Sequence, residues 1–345
     1  MNDCLAMIVI ASLAACGDNP RTDADFQAEV VASMHTSIAA DLAELVTAAH
    51  RLQAAAPSHA WRATGDADAI SQMRDAWRRT RIAYEHVEGA TAPIFANLDI
   101  AMDARYDDFL SALGPSGDPA LFDGEGVTGM HAIERILYAP VIRAAVVAFE
   151  SPLPGYQPAA FPASDDDAIA FKTQLVQRLI DDATALHDQW QPAAIDIGAA
   201  YQGLVGLMNE QREKVNLAAT GEEESRYADL TLFDLRNNLE GTEASYALFR
   251  DWVTGKPDGA DADARIQARF ATLHALYGMT SGDALPPVPA TWSADAPTPA
   301  DLATAFGMLW TTVRQAVDPA ADGSIVFEMN RVATLLGLDQ FVEGP

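Results

Sequence analysis

The feature of this sequence that most restricts its fold is residues 26–56, a long run rich in Ala, Leu and Val that contains neither Gly nor Pro. Because such residues favour helices and Gly and Pro interrupt them, the run predicts one long helix ending near Pro57. Further helical patterns occur at 66–90, 97–113, 124–138, 165–190, 193–220, 226–253, 261–278, 299–317 and 322–338. Alternating runs of β-branched residues, which are typical of strands, are missing. The sequence therefore predicts an all-α fold.

A proline-rich segment divides the helical patterns into two groups. Residues 151–164 contain four prolines, a composition typical of a linker or a wrapped loop. We therefore predict an N-terminal helical bundle at 26–150 and a C-terminal helical bundle at 165–345, as in a duplicated four-helix-bundle fold. Hydrophobic residues make up 49% of the 345-residue chain, which is enough to build a sizeable core.

The start of the sequence has the pattern of a bacterial export signal. Residues 5–15 form an apolar stretch that is too short to span a bilayer but has the length of a signal-peptide core. The stretch ends in Leu-Ala-Ala-Cys16, which resembles a lipobox, where the cysteine becomes the acylated first residue. We expect 1–16 to be a lipoprotein signal peptide and 17–25 a tether, with a lipid anchor at Cys16. Gly17 follows instead of Asp, which favours an exported protein that faces the periplasm or lies on the outer membrane.

The chain is strongly acidic. It has 22 Lys and Arg residues against 49 Asp and Glu residues, a formal net charge of −27. A surface of this charge repels phosphate backbones, so we expect no nucleic-acid partner. The same field raises the local concentration of cations, which suits a protein that handles metal ions. The simpler alternative is that the acidity only keeps the surface soluble.

The segment at 124–138 carries the most informative polar pair. Met130, Ile133 and Leu137 form an apolar stripe on this helix, with Glu134 at its edge and His131 one turn before it. A spacing of i, i+3 lets an imidazole nitrogen and a carboxylate oxygen converge on one ion, as in the Glu-x-x-His pattern of di-iron bundles. Two ligands are too few for a tight metal site, so other helices must contribute. The alternative is a hydrogen-bonded pair that only stabilises a bundle.

The helix at 66–90 offers two further candidate metal ligands. Glu88 lies on the buried face of this helix beside Tyr84, and Glu85 lies on its flank, where Arg81 at i−4 can pair with it. A carboxylate on a core-facing stripe costs several kcal/mol unless it is paired or bound to a metal. Glu88 is therefore the stronger candidate ligand, and Glu85 is the stronger candidate for an ion pair.

The second half of the chain contributes two more polar features. Asp234 and Asn237 lie three residues apart on the apolar face of the helix at 226–253. They either line a second polar pocket or tie neighbouring helices together. Just before this helix, the acidic segment at 221–225 is interpreted as a solvated turn, with Ser225 as a helix N-cap.

Three of these stretches resemble the imelysin-like family. Residues 129–134 are similar to its GxHxxE motif, residues 77–88 to the helix before that motif, and residues 225–241 to its C-terminal signature. The similarity extends over roughly 30–340. The family includes an insulin-cleaving membrane protease and the periplasmic partner of bacterial ferrous-iron permeases. The resemblance implies a duplicated helical-bundle fold, a surface or periplasmic location, and a role linked to a metal ion, usually iron.

Three functions are consistent with these observations. The first is a lipid-anchored protein that binds or delivers iron or a divalent metal, with an iron permease or another uptake protein as partner. The second is a metallopeptidase of the imelysin type that uses His131, Glu134 and Glu88. The sequence has neither HExxH nor HxxEH and no evident general base, which counts against peptidase activity. The third is a structural or receptor-like lipoprotein without a metal. The metal itself is left open, because carboxylates and imidazole accept Fe, Zn, Mn or Cu.

Overall fold

The all-α fold class is confirmed. The computed structural model describes residues 21–343, and within them every regular element is a helix. Cys16 and the predicted signal peptide at 1–16 lie outside the described residues. The helices are α1 (Asp23–Ala55), α2 (Ala67–Glu85), α3 (Glu88–Thr91), α4 (Ala96–Asp103), α5 (Tyr106–Leu113), α6 (Gly129–Leu137), α7 (Ala144–Glu150), α8 (Asp165–Ala170), α9 (Val176–Trp190), α10 (Ile197–Leu217), α11 (Thr231–Ala247), α12 (Arg250–Thr254), α13 (Gly259–Gly278), α14 (Pro299–Leu302), α15 (Ala305–Val317) and α16 (Ile325–Leu336). A π-helical turn, Phe171–Leu175, joins α8 to α9.

The long helix predicted at 26–56 is α1, and it begins earlier than predicted because Thr22 caps it. The Thr22 hydroxyl accepts a hydrogen bond from the Asp25 backbone N–H at 3.3 Å, and the Asp25 carboxylate accepts one from the Thr22 N–H at 2.8 Å. This reciprocal arrangement satisfies donors that a helix start leaves unpaired. The buried face of α1 then recurs every three or four residues, at Val30, Met34, Ile38, Leu42, Leu45, Ala49 and Leu52.

Two helices predicted as continuous are broken in the structure. The helix predicted at 66–90 divides into α2 and α3 at His86, where α11 passes very closely: a Cβ on Gly241 would lie 2.4 Å from the His86 Cα. The helix predicted at 97–113 divides into α4 and α5, because Ala104 adopts an extended ψ of 143°. The second break leaves Asp103 at the C-terminal end of α4.

Two other helices begin later than predicted. The helix predicted at 226–253 begins at Thr231, and the residues before it form a loop in which Asp229 has a left-handed φ of 59°. The segment predicted to become helical at 124 does so only at Gly129. Both differences place polar residues in loops or at helix ends, where their side chains can approach other helices.

Helices from both sides of the proline-rich segment pack together. The helix that follows this segment lies against α1: the Gln53 side chain donates to the Gln177 side chain at 2.8 Å, and Lys172 donates to the Ala56 carbonyl at 2.8 Å. Further along, α10 and α11 pack against α2 and α3. The division into two domains at 151–164 stays a prediction, but a single cluster of buried apolar residues runs through both parts.

No helix within residues 21–343 combines the length and the hydropathy that crossing a lipid bilayer would require.

Candidate metal centre

A glycine brings the start of α6 against the end of α4. Gly129 has a left-handed φ of +81°, and a Cβ at this position would lie 2.5 Å from the Met102 carbonyl oxygen. Only glycine combines this backbone conformation with so close an approach. Because His131 follows in the first turn of α6, this contact sets its side chain beside Asp103, the last residue of α4.

The predicted pair of His131 and Glu134 is present and fully buried. The His131 Nδ1 lies 2.8 Å from Glu134 Oε2, and His131 is 1% exposed. The other oxygen of Glu134 accepts hydrogen bonds from the backbone N–H groups of Tyr227, at 2.9 Å, and Ala228, at 2.8 Å. Protein donors therefore occupy both oxygens of Glu134, which holds the imidazole in one orientation and places the proton on Nδ1.

The second ring nitrogen of His131 faces two other carboxylates. Its Nε2 is buried and has no hydrogen-bond partner among residues 21–343. It lies 3.4 Å from Asp103 Oδ1 and 3.7 Å from Glu224 Oε1. One ligand atom from each of the three residues lies within 4.8 Å of the others. An unpaired buried nitrogen aimed at two carboxylate oxygens fits a metal cation, since imidazole and carboxylate are ligands that Fe, Zn and Mn accept.

A buried arginine neutralises part of this negative charge. The Arg81 side chain has no exposed surface and forms ion pairs with Glu85 and Asp103. It also lies 3.3 Å from Glu224 and 3.5 Å from Asp234. The ion pair between Arg81 and Glu85 that the sequence predicted is thus present. Burial raises the pKa of Asp234 to about 6, although Arg81 acts to lower it.

The protonation states of the three converging residues follow from their contacts. Burial acts to raise the pKa of Asp103, but Arg81 and His131 outweigh it and hold this pKa below its usual value. Burial acts in the same direction on Glu224, yet Lys214, His131 and Arg81 hold its pKa well below normal. For His131, burial acts to lower the pKa, but the adjacent carboxylates raise it well above normal. Asp103 and Glu224 are therefore held in the ionised form in which a carboxylate can bind a cation.

Two of the three residues, Asp103 and Glu224, line an acidic cavity of about 490 Å³. The same lining also contains the carboxylates of exposed residues. Burial raises the pKa of Asp99 in this wall to about 7, against the hydrogen bond that Tyr84 donates to it. The lining contains two cations, Arg105 and Lys214, and the carboxylates of Glu88, Asp99, Asp103, Asp108, Glu210, Glu213 and Glu224.

The other candidate residues from the sequence lie outside the group formed by His131, Asp103 and Glu224. Glu88 lines the cavity and accepts a hydrogen bond from the Asn238 side chain at 2.9 Å, while Asn238 also donates to Glu85. Asp234 contributes to the network around Arg81, so it adjoins the same cluster from the opposite side. The Asn237 side chain donates to the Phe233 carbonyl of its own helix at 2.8 Å. The ligand roles predicted for Glu85 and Glu88 stay predictions.

Sequence reasoning missed two of the three converging residues. Asp103 was inside a predicted helix and had no distinguishing neighbours. The segment at 221–225 was interpreted as a solvated turn, which is wrong: Glu223 is 0%, Glu224 7% and Ser225 0% exposed. The signal available was the position of these three consecutive glutamates, directly before the stretch that resembles the C-terminal signature.

Most of the chain matches the model of a known protein family. Residues 35–289 match the model of the imelysin family, peptidase M75. Over 212 residues the chain is 27% identical to an Efem/EfeO family lipoprotein of Staphylococcus haemolyticus, which covers 61% of this chain and 59% of that protein. Over 216 residues it is 24% identical to the iron uptake system component EfeO of Escherichia coli, covering 62% of this chain and 46% of that protein. The chain thus matches about half of the length of these relatives.

The fold is similar to that of a solved imelysin-like protein. The structure of an imelysin-like protein from Psychrobacter arcticum superposes with a TM-score of 0.57 at 13% sequence identity, over 91% of this chain and 97% of that chain. At this identity the likeness concerns the fold alone. The family match runs from within α1 to the loop beyond α13 and includes the helix that carries His131 and Glu134. The resemblance seen in the sequence is therefore confirmed, and this chain belongs to the imelysin family.

Proposed function

We propose that this protein binds a metal cation, with iron as its cargo, between His131, Asp103 and Glu224. The observation that carries the proposal is the buried His131 Nε2, which has no hydrogen-bond partner in the part of the chain that the structure describes and faces two carboxylate oxygens. A buried polar atom without a partner is rare in a folded protein and costs free energy. Coordination of a cation supplies the missing partner and balances the facing negative charge.

The roles within this site differ from residue to residue. His131 Nε2, Asp103 and Glu224 hold the ion directly. Glu134 is a positioning residue, because its two oxygens are bonded to His131 Nδ1 and to two backbone N–H groups. Such carboxylate–histidine pairs commonly fix the ring orientation of a metal ligand and raise its basicity. Arg81 stays on the far side of the carboxylates as a fixed internal counter-charge.

The acidic cavity supports the choice of substrate class. Its lining has seven carboxylates and two cationic side chains, and burial raises the pKa of two of the carboxylates, Asp99 to about 7 and Glu210 to about 8. The remaining excess of carboxylates over cations attracts hydrated cations and repels anionic chelates. A cation that enters this cavity meets Asp103 and Glu224 in its lining. We therefore assign a hydrated free cation as the species that is bound.

The relatives support a place in iron uptake. One is described as a family lipoprotein and another as a component of an iron uptake system. We propose, by analogy, an exported protein that is anchored through Cys16, faces the periplasm, and hands iron to a membrane permease. The site geometry is independent of this assignment and can be tested alone.

The direct test is metal binding by the purified protein. Equilibrium dialysis with Fe²⁺ under anaerobic conditions, and calorimetry with Mn²⁺, should show one tight site. His131→Ala should weaken that site at least about a hundredfold, since it removes a ligand. The matched control is His274→Ala, which removes a histidine that also contacts a glutamate, Glu243, at 2.7 Å but lies near the surface. Equal affinity in both variants, or no binding by the parent, would contradict the proposal.

A further inference from the structure

A lysine closes the outer side of the candidate site. Lys214 lies on α10 and its side chain is only 7% exposed. Its Nζ donates to the Asn238 side-chain oxygen at 3.1 Å, and it lies 3.4 Å from Glu224 Oε2 and 3.8 Å from Glu88 Oε2. Because Arg81 contacts Glu224 through the other oxygen, Oε1, this carboxylate has a cation on each side.

The two cations differ in how firmly they are held. Arg81 has no exposed surface, contacts four carboxylates and is absent from the cavity lining. Lys214 belongs to the lining, and within residues 21–343 its ammonium has hydrogen-bond geometry to Asn238 alone. A lysine ammonium is a compact charge on a flexible four-carbon stem, whereas guanidinium is held rigidly by its fork of donors. Of the two cations, Lys214 is therefore the one free to move.

A second acceptor for this ammonium lies one turn back on the same helix. Glu210 stands at i−4 from Lys214, lines the same cavity and is exposed. Side chains four apart on a helix lie on the same face and pair readily. Rotation of the lysine stem would take the ammonium from Glu224 towards Glu210 without any movement of the backbone.

We propose that Lys214 is a tethered counter-ion for Glu224, which neutralises it when no metal is bound and swings to Glu210 when a metal cation arrives. This inference rests on the proposed function. A cation that binds between His131, Asp103 and Glu224 places positive charge next to the ammonium, so the two compete for one carboxylate. The competition lowers metal affinity and speeds release, which a protein that carries a cargo needs. Lys214 is thus a positioning residue that acts through Glu224.

The first experiment compares Lys214→Met with Arg212→Met in the full chain. Methionine keeps most of the stem and removes the charge. Arg212 lies on the same helix but pairs with Glu343, so its loss changes net charge equally without touching Glu224. With Mn²⁺ as probe, Lys214→Met should bind about tenfold tighter, the scale of repulsion between a unit charge and a divalent ion across a partly hydrated cavity. Mn²⁺ release into excess chelator should slow by a similar factor, and Arg212→Met should stay near the parent.

The direction of the change separates this inference from a structural role. A variant that merely loosens the fold binds metal more weakly, whereas loss of the counter-ion tightens binding. Unchanged or weaker binding by folded Lys214→Met, in a parent that binds Mn²⁺ through His131, would overturn the counter-ion inference and leave the proposed function standing. A parent that binds no Mn²⁺ would overturn both.

A second pair of variants tests the swing itself and does not depend on Lys214→Met folding. Glu210→Gln and Glu213→Gln each remove one exposed carboxylate from the cavity lining. Of these two, only Glu210 lies one helical turn from Lys214, so Glu210→Gln should weaken Mn²⁺ binding several-fold more than Glu213→Gln. Equal effects would show that the two carboxylates act only through the general field, and would remove Glu210 as the acceptor.

Discussion

Two histidine–glutamate pairs in this protein have nearly the same contact and very different surroundings. His131 lies 2.8 Å from Glu134, and His274 lies 2.7 Å from Glu243. The first histidine is 1% exposed, whereas the side chains of the second pair are both 37% exposed. The first pair also has two further carboxylates in front of its free nitrogen. A histidine–glutamate pair alone therefore does not make a candidate metal site. The pair must also be buried, and other carboxylates must face the histidine nitrogen that the glutamate does not contact.

The largest expected effect concerns the two glutamates. Glu134→Ala removes the acceptor of two backbone N–H groups and of the His131 imidazole, all buried. Removing one partner of such a buried network should lower the free energy of unfolding by about 3–5 kcal/mol. Glu243→Ala should change it by less than about 0.5 kcal/mol, because exposed ion pairs contribute little. Urea denaturation measures the free energy of unfolding of both variants. Similar losses in the two would contradict the difference between the buried and the exposed pair.

The next effect concerns the glycines near each pair. Gly129→Ala forces an alanine into a left-handed φ and brings its Cβ to 2.5 Å from the Met102 carbonyl, so we expect about 3 kcal/mol of destabilisation. Gly278 ends α13, the helix of His274, and has open space at its Cβ position. Gly278→Ala should therefore stabilise the protein slightly, by up to about 1 kcal/mol. Thermal melting separates the two outcomes. An unchanged melting temperature for Gly129→Ala would mean that α6 and α4 can separate enough to accommodate the added Cβ.

The third effect concerns the ligands that face His131. Asp103→Asn keeps the shape of the side chain but removes an anionic donor, so Mn²⁺ affinity should fall about a hundredfold. Asp301 offers a matched control, because it is a buried aspartate that serves as the helix-capping partner of Thr298, far from α6 in the chain. Asp301→Asn should leave Mn²⁺ affinity at the parent value. Calorimetry that finds equal affinity for parent and Asp103→Asn would exclude Asp103 as a ligand.

The smallest effect tests the orientation of the imidazole. In Glu134→Gln, the amide oxygen can still accept from the Tyr227 and Ala228 N–H groups, but the amide nitrogen then faces His131 Nδ1. Donation from this nitrogen favours the tautomer with its proton on Nε2, which blocks the metal. Mn²⁺ affinity should fall about tenfold, with a shift in the imidazole nitrogen resonances. The corresponding Glu243→Gln variant should change neither measurement. Unaltered tautomer populations in Glu134→Gln would remove Glu134 from its positioning role.

The parts of the site that sequence reasoning found are those with local causes. The spacing of His131 and Glu134 on one helix predicted their contact, because residues three apart face the same side. The ion pair between Arg81 and Glu85 has the same origin, at four residues apart. By contrast, the sequence left open whether Asp234 lines a second polar pocket or ties neighbouring helices together, and the structure places its carboxylate 3.5 Å from Arg81 of α2. The pattern of residues on one helical face does not show which residue of another helix Asp234 contacts.

By itself, the sequence determined that this protein is helical, where most of its helices run, and that His131 and Glu134 meet within one turn. These features depend on residue propensities, caps and a period of 3.6 residues, all of which act over short distances. Only the tertiary structure decided that Asp103 and Glu224 complete the cluster. Their approach requires the break after α4, the close contact at Gly129 and the burial of the loop before α11. Contacts between segments that are distant in sequence depend on how the whole chain packs. A local sequence pattern does not specify them.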